Sequence, residues 1–204
     1  MFFNNSMYPT RAIKRTEKMK RIFDILLGVH LFLLLAAPIL LISLAVRFSS
    51  KGPIIYWSDR IGKNNEIFRM PKFRTMLVGT PPVASHLLDN PDSHLSPIGK
   101  FLRRLSLDEF PQIFSVLKGD MSFVGPRPAL FNQTDLIELR TKNGIDNLLP
   151  GVTGWAQVNG RDQVSIIEKV NLDLEYLHRQ SFWFDLRILW ITAFKVIKSE
   201  GLSH

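Results

Sequence analysis

The longest apolar stretch of the chain runs from Ile25 to Val46 (ILLGVHLFLLLAAPILLISLAV), and no residue in it carries a formal charge. Apolar side chains occupy every face of the helix this run predicts, whereas the core helix of a soluble domain keeps one polar face. As a straight helix it reaches about 33 Å, enough for a hydrocarbon core of about 30 Å. Its length, and the lack of a small-residue cleavage pattern after it, argue against a cleaved leader. Two details complicate a simple span. Pro38 stands well inside, where it removes a backbone bond and crowds the preceding turn, so a kink is expected. Basic residues also flank both ends: Arg11, Lys14, Arg15, Lys18, Lys20 and Arg21 before, Arg47, Lys51 and Arg60 after. A span normally carries its positive excess on one side. Two arrangements fit: an ordinary span with a tolerated proline, and a helix that bends at Pro38 and leaves by the leaflet it entered.

Past Arg47 the pattern shortens. Ile54–Trp57 and Glu66–Met76 predict a β-hairpin around a Gly-Lys-Asn-Asn turn, with Lys72 and Arg74 on one face of its second strand. The following proline-, serine- and aspartate-rich stretch predicts a loop with at most one helical turn. Helices are expected over Ile98–Leu105 and Glu109–Lys118, the second stopped by Gly119. SFVGPRP and PGVTGWAQVNGR, punctuated by proline and glycine, predict ordered loops. Two more helices, Val164–Arg179 and Trp183–Lys198, close the chain. The last mixes Trp183, Trp190 and Phe194 with Arg187, Lys195 and Lys198. That mixture suits a helix in the headgroup region or one packed on the core. The expected class is α+β, mostly helical with a small β-hairpin.

Composition sharpens this picture. The 204 residues suffice for one domain and an appendage. A mean hydropathy of +0.05 is high for a chain with 22% charged residues, and the uncharged run accounts for it. A formal charge of +8 points to anionic partners: phosphates, nucleic acid or acidic lipid. The basic residues are dispersed and match no nucleic-acid-binding module, so nucleic acid is not an expected partner. The absence of cysteine excludes disulfides and thiolate metal sites.

Candidate chemistry centres on LSLDEFPQ, where Asp108 and Glu109 adjoin. Ser106 and Glu109 match a capping box. In that register, however, Pro111 falls at the fifth helical position; with Asp108 as N-cap it falls in the tolerant first turn. An aspartate there is an ordinary cap. The surrounding cations suggest more: Arg103 and Arg104 just before, Lys72 and Arg74 on the strand, Arg127 between two prolines, and Arg161 closing QVNGR. A guanidinium offers a fork suited to phosphate oxygens. Carboxylates among cations suit Mg²⁺ with phosphate, because magnesium takes few carboxylates and fills its shell from substrate.

LSLDEFPQIFSVLKGDMSFVGPRP and PGVTGWAQVNGR, behind a proline-interrupted apolar segment, resemble the bacterial sugar transferase family, and more narrowly its small monotopic phosphoglycosyl transferases. The likeness runs from about Lys18 to Lys198. The large multispan region of longer relatives is missing, which implies a minimal catalytic form. The resemblance implies transfer of a phosphosugar from a UDP-sugar to polyprenyl (undecaprenyl) phosphate, releasing UMP. It also implies a first membrane step of bacterial glycoconjugate synthesis, at the cytoplasmic face of the inner membrane. Asp108 would be the nucleophile of a covalent phosphosugar intermediate. Glu109 would bind Mg²⁺, and Lys72, Arg103, Arg127 and Arg161 would bind phosphate. The helix starting near Asp108 would direct its dipole at the developing charge. The implied organisation is a basic segment (1–21), a re-entrant membrane helix bent at Pro38 (22–48) and a cytoplasmic catalytic domain with interfacial helices (49–204). Relatives often carry Ser-Pro at the bend; Ala37-Pro38 lacks the hydroxyl that bonds a freed carbonyl. Two rival classes stay open, a single-span anchored binding or scaffold module and a Mg²⁺-dependent nucleotide-sugar hydrolase. Neither the sugar nor the oligomeric state is legible.

Overall fold

The computed structural model describes residues 10–81, 90–160 and 165–197. Helix α1 (Thr10–Ser49) is one element of 40 residues with Pro38 inside it. It begins well within the stretch expected to be a separate basic segment. From Glu17 to Ser49 it is long and apolar enough to cross a membrane. Burial nevertheless divides it into two stripes. Asp24, Gly28 and Val46 are buried, with Leu27, Leu31, Ile39 and Ile42 half-buried between them. Ile22, Leu26, Val29, Leu33, Leu40 and Leu44 are exposed. Each set recurs at helical spacing, so one stripe packs on the domain at both ends and the other lies bare.

The N-terminal third of α1 is tied down by polar bonds. Lys20 Nζ donates to the Val124 carbonyl at 2.8 Å and pairs with Asp185 at 2.5 Å. Arg21 donates to the carbonyls of Val116 and Leu117, and Asp24 Oδ1 accepts from the Phe123 amide at 3.1 Å. Lys20 and Arg21 therefore belong to the domain contact, although by sequence they read as flanking charges. At Gly28 the helices approach closely: a Cβ there would lie 2.8 Å from Leu117 Cδ2.

Strands β1 (Ile55–Ile61) and β2 (Ile67–Phe73) form the expected antiparallel hairpin, in register from Ile55↔Phe73 to Ile61↔Ile67. The first strand runs four residues beyond Trp57, and the second stops short of Met76. Helix α2 (Gly99–Arg104) is followed by a 3₁₀ turn, Leu107–Glu109, and then α3 (Gln112–Lys118). The sequence reading started α3 at Asp108 or Glu109. Instead Ser106 adopts a left-handed conformation (φ 54°) and Pro111 sits at the N-cap of α3, so the dyad occupies its own turn. Gly119 (φ 102°) ends α3 as expected.

The two expected loops contain regular structure. Strand β3 (Ser122–Val124) pairs in parallel with β4 (Gly151–Thr153), with α4 (Thr134–Lys142) between them and α5 (Trp155–Asn159) following. Their glycines permit the approach: a Cβ on Gly154 would lie 2.0 Å from the Gly125 carbonyl oxygen. Helices α6 (Ile166–Arg179) and α7 (Phe182–Ile197) complete the fold. Ser165 caps α6, its hydroxyl accepting from the Glu168 amide. Val164 and Lys198, the outer limits of the two expected helices, lie outside the described residues.

The architecture is thus mostly helical with two two-stranded sheets. The main core joins Met70, Val116, Met121, Phe123, Tyr176 and Ile188. A separate cluster joins Val46, Phe73 and Leu102 to Ile39, Ile42, Leu107 and Phe110. Leu107 and Phe110 flank the Asp108–Glu109 pair, so the dyad turn shares one apolar cluster with the C-terminal part of α1. Helix α7 buries Phe184 and Ile188 and leaves Trp183 77% and Trp190 76% exposed on its outer face.

Candidate active site

Four elements meet at the dyad: strand β2, the end of α2, the turn Leu107–Glu109 and the loop after β3. Asp108 is buried and Glu109 half-buried. Lys72, next to last in β2, reaches Glu109 Oε1 at 2.7 Å. Arg127 Nη2 lies 3.6 Å from the same oxygen. Arg103 comes from the last turn of α2, and its Nε donates to Thr75 Oγ1 at 2.9 Å. Burial lowers the affinity of that guanidinium for its proton, and the charge of Asp108 opposes this. Arg104, its sequence neighbour, points to solvent.

The structure therefore brings Lys72, Arg103, Asp108, Glu109 and Arg127 together. Arg161 lies outside the described residues. Pro38 is on α1, beside Ile39, which packs on the same apolar cluster as Leu107 and Phe110. Arg74 goes elsewhere. It sits beyond the end of β2, buried, with Nη2 donating to the Ser50 carbonyl at 2.8 Å and hydroxyl at 3.0 Å. The shared face expected for Lys72 and Arg74 thus divides between the dyad and the C-terminal end of α1. The expected dipole at Asp108 also needs correction, because α3 starts four residues later.

Arg60 was read from sequence as a flanking charge. It is half-buried, with Nη1 donating to the Pro128 carbonyl at 3.2 Å and Nε to Ser58 Oγ at 3.0 Å. Burial, then the neighbouring Arg127, lower its guanidinium to about 10, while Glu109 acts in the opposite direction. It stays charged at neutral pH and contributes to the positive field around the dyad. Arg140 and Asp173 were missed altogether. Arg140 Nη2 and Nε donate to Asp173 Oδ2 at 2.6 and 3.0 Å, and Nη1 donates to the Arg127 carbonyl at 2.8 Å. The proline-flanked Arg127 was the one local signal that a neighbour must hold this loop.

The dyad offers hard oxygen donors only. Among the described residues no three of His, Cys, Asp and Glu cluster to hold a metal ion. That set excludes a closed protein cage but fits magnesium, which needs one or two carboxylates and completes its shell with phosphate oxygens and water. A carboxylate pair ringed by cations has chemistry suited to a phosphorylated ligand.

The chain belongs to the bacterial sugar transferase family, whose model matches residues 15–199. It is 40% identical over 202 residues to the UDP-glucose:undecaprenyl-phosphate glucose-1-phosphate transferase of Escherichia coli (strain K12), covering 93% of this chain and 42% of that protein. It is also 38% identical to the uncharacterized sugar transferase EpsL of Bacillus subtilis (strain 168), covering 91% of each. The exopolysaccharide production protein ExoY of Sinorhizobium fredii is 34% identical, covering 89% of this chain and 87% of that protein. The chain thus spans less than half of the Escherichia coli relative and nearly all of the two smaller ones.

Proposed function

We propose that this protein transfers a sugar 1-phosphate from a UDP-sugar to undecaprenyl phosphate at the cytoplasmic face of a bacterial inner membrane. The observation that carries the reading is the dyad turn. Its carboxylates lie among Lys72, Arg103 and Arg127, and its flanking Leu107 and Phe110 join the apolar cluster to which α1 contributes Val46, Ile39 and Ile42. One substrate is a water-soluble diphosphate and the other a lipid phosphate, and both carry anionic oxygens that these cations would bind. The activity named for the Escherichia coli relative supports the choice of substrates.

In the first step a carboxylate oxygen of Asp108 attacks the phosphorus that bears the sugar. The bond to the bridging oxygen breaks, and its electron pair leaves with UMP. In the second step a phosphate oxygen of the lipid attacks the same phosphorus. The acyl phosphate bond breaks and the Asp108 carboxylate is restored, so neither step needs an external proton. Lys72, Arg103 and Arg127, with Arg161, neutralise the diphosphate and the developing charge. Glu109 would hold Mg²⁺, which when bound supplies further neutralisation of the leaving UMP. Lys72 and Arg127, at 2.7 and 3.6 Å from Glu109 Oε1, hold that carboxylate in place.

The re-entrant arrangement is part of the proposal. Both ends of the apolar stretch, at Asp24 and at Val46, contact one folded domain. A straight span would carry those ends to opposite sides of the bilayer. The exposed stripe of α1 and the tryptophans of α7 then face lipid, with residues 49–204 on the cytoplasmic side.

The test is a single-turnover reaction with Mg²⁺ and a panel of UDP-sugars, first without lipid acceptor. Stoichiometric UMP release with a phosphosugar trapped on Asp108 is the expected result, and addition of undecaprenyl phosphate should discharge it. Asp108→Asn, which keeps the size of the side chain and removes its charge, should be inert yet fold normally. Continuous UMP release that the acceptor does not change would identify a hydrolase instead. Normal turnover by the amide variant would leave Asp108 with a structural role only.

A further inference from the structure

The loop that carries Arg127 is held by an unusual set of bonds. Its four successive carbonyls, from Pro126 to Ala129, each accept from a different donor. Pro126 accepts from the Gly151 amide at 2.9 Å and Ala129 from the Ile61 amide at 3.0 Å. Between them, the Arg127 carbonyl accepts from Arg140 and the Pro128 carbonyl from Arg60. The outer two bonds are ordinary backbone pairing. The inner two come from guanidiniums, and one of these is locked by the buried carboxylate of Asp173. A small cavity of about 30 Å³ lies behind the loop, lined by Pro126, Pro128, Ile145 and Leu148 among others. Packing on that side is incomplete, so the two guanidinium bonds hold the middle of the loop between the backbone pairs at its ends.

We infer that Arg140, locked by Asp173, and Arg60 are positioning residues that grip the backbone of the Arg127 loop and thereby aim the Arg127 guanidinium at the substrate phosphate. This rests on the functional reading above, in which Arg127 meets that phosphate. The fork geometry matters. Arg140 spends Nε and Nη2 on Asp173 and keeps Nη1 for the Arg127 carbonyl. A lysine supplies the charge that Asp173 needs but no rigid fork to serve both partners at once. Arg140→Lys thus separates the ion pair, which serves folding, from the grip on the loop. Misplacement of a catalytic group by about 1 Å costs on the order of 100-fold in rate. A loosened grip is expected to lower kcat/KM for the UDP-sugar by about tenfold or more on that scale.

The test is a double-variant cycle of Arg140→Lys and Arg127→Ala, reading kcat/KM for the UDP-sugar together with the thermal midpoint of the detergent-solubilised full chain. Arg140→Lys should lower kcat/KM in the parent and change it little once Arg127 is alanine, because contacting residues with one shared task are non-additive. Should Arg140→Lys fail to fold, Arg60→Lys enters the same cycle, with the same non-additivity expected. Additive losses would overturn the inference, as would a parent-like kcat/KM in Arg140→Lys when Arg127→Ala is impaired. In both cases the functional reading would stand. If Arg127→Ala turned over normally, the phosphate role of Arg127 would fail and the grip would have nothing to aim.

Discussion

Replacing Lys72 by methionine keeps most of the side chain's apolar volume and removes the ammonium that lies 2.7 Å from Glu109 Oε1. At an effective dielectric constant of about 20, the gross attraction at that distance is about 6 kcal/mol, against about 5 kcal/mol for Arg127 at 3.6 Å. Desolvation offsets part of this, because the two side chains are only 16% and 12% exposed. Breaking a buried pair by deleting one partner costs about 3–5 kcal/mol. Arg127 still attends Glu109, so the low end, about 3 kcal/mol, is expected. For a chain of 204 residues that corresponds to a fall in thermal midpoint of about 6–12 °C. An equal loss in the transition state would lower kcat/KM by about 100-fold. Scanning fluorimetry in detergent and a UMP-release assay read the two effects. Lys72→Met/Glu109→Gln separates them. It strands neither charge of the pair, and Arg127, 33% exposed, can turn to solvent, so the midpoint should recover most of its value while activity stays low. If the two single losses in midpoint simply added, the pair would not be coupled. If the double variant turned over at the parent rate, neither charge would serve the reaction.

Other expectations follow from the same coordinates. Lys20→Met strips the ammonium from Asp185, whose side chain is 7% exposed, and should destabilise the fold by about 3–5 kcal/mol, read as a lowered urea midpoint. Gly154→Ala puts a Cβ 2.0 Å from the Gly125 oxygen, so β3 and β4 must separate; the variant should express poorly or melt well below the parent, whereas Gly79→Ala, which meets open space and only the backbone strain of φ 95°, should lose less. The Tyr176 hydroxyl donates to Asp185 at 2.8 Å, and burial, then that carboxylate, raise its pKa well above 10.0. The folded state thus keeps a proton that the unfolded chain releases above about 10. Stability should be complete below that pH and decline as pH rises beyond it, and Tyr176→Phe should flatten this slope. In lipid nanodiscs, brominated acyl chains should quench the emission of Trp183 and Trp190 but not that of Trp155, whose Nε1 bonds Glu175 within the domain.

The legible part of the fold was what local patterns encode. An uncharged run sufficient for a bilayer, the 2-residue period of the hairpin and the helices around Gly119 all appear in the structure with shifts at their ends. The parallel pairing of β3 with β4 was hidden, because its partners are separated by α4 and each segment is short and rich in glycine and proline. The site was legible as a cluster of residue types. Asp108, Glu109, Lys72, Arg103 and Arg127 were singled out from one acidic pair and its cationic company. Arg74 was assigned with them because alternation along a strand says nothing beyond the strand's end, and β2 stops at Phe73.

What the chain order alone established was therefore a kind of chemistry and a kind of surroundings: carboxylates with cations, and a segment that prefers hydrocarbon to water. Those follow from side-chain type and short-range period, which need no partner. Where each charge goes is a matter of three-dimensional packing. Lys20, Arg21 and Arg60 read as flanking charges like their neighbours, yet the first two fasten α1 to the domain and the third grips Pro128. Arg140 and Asp173 are 33 positions apart and meet only when α4 packs on α6. A lysine or arginine buried by folding must find an acceptor, and that acceptor is chosen by which distant backbone the fold brings within reach.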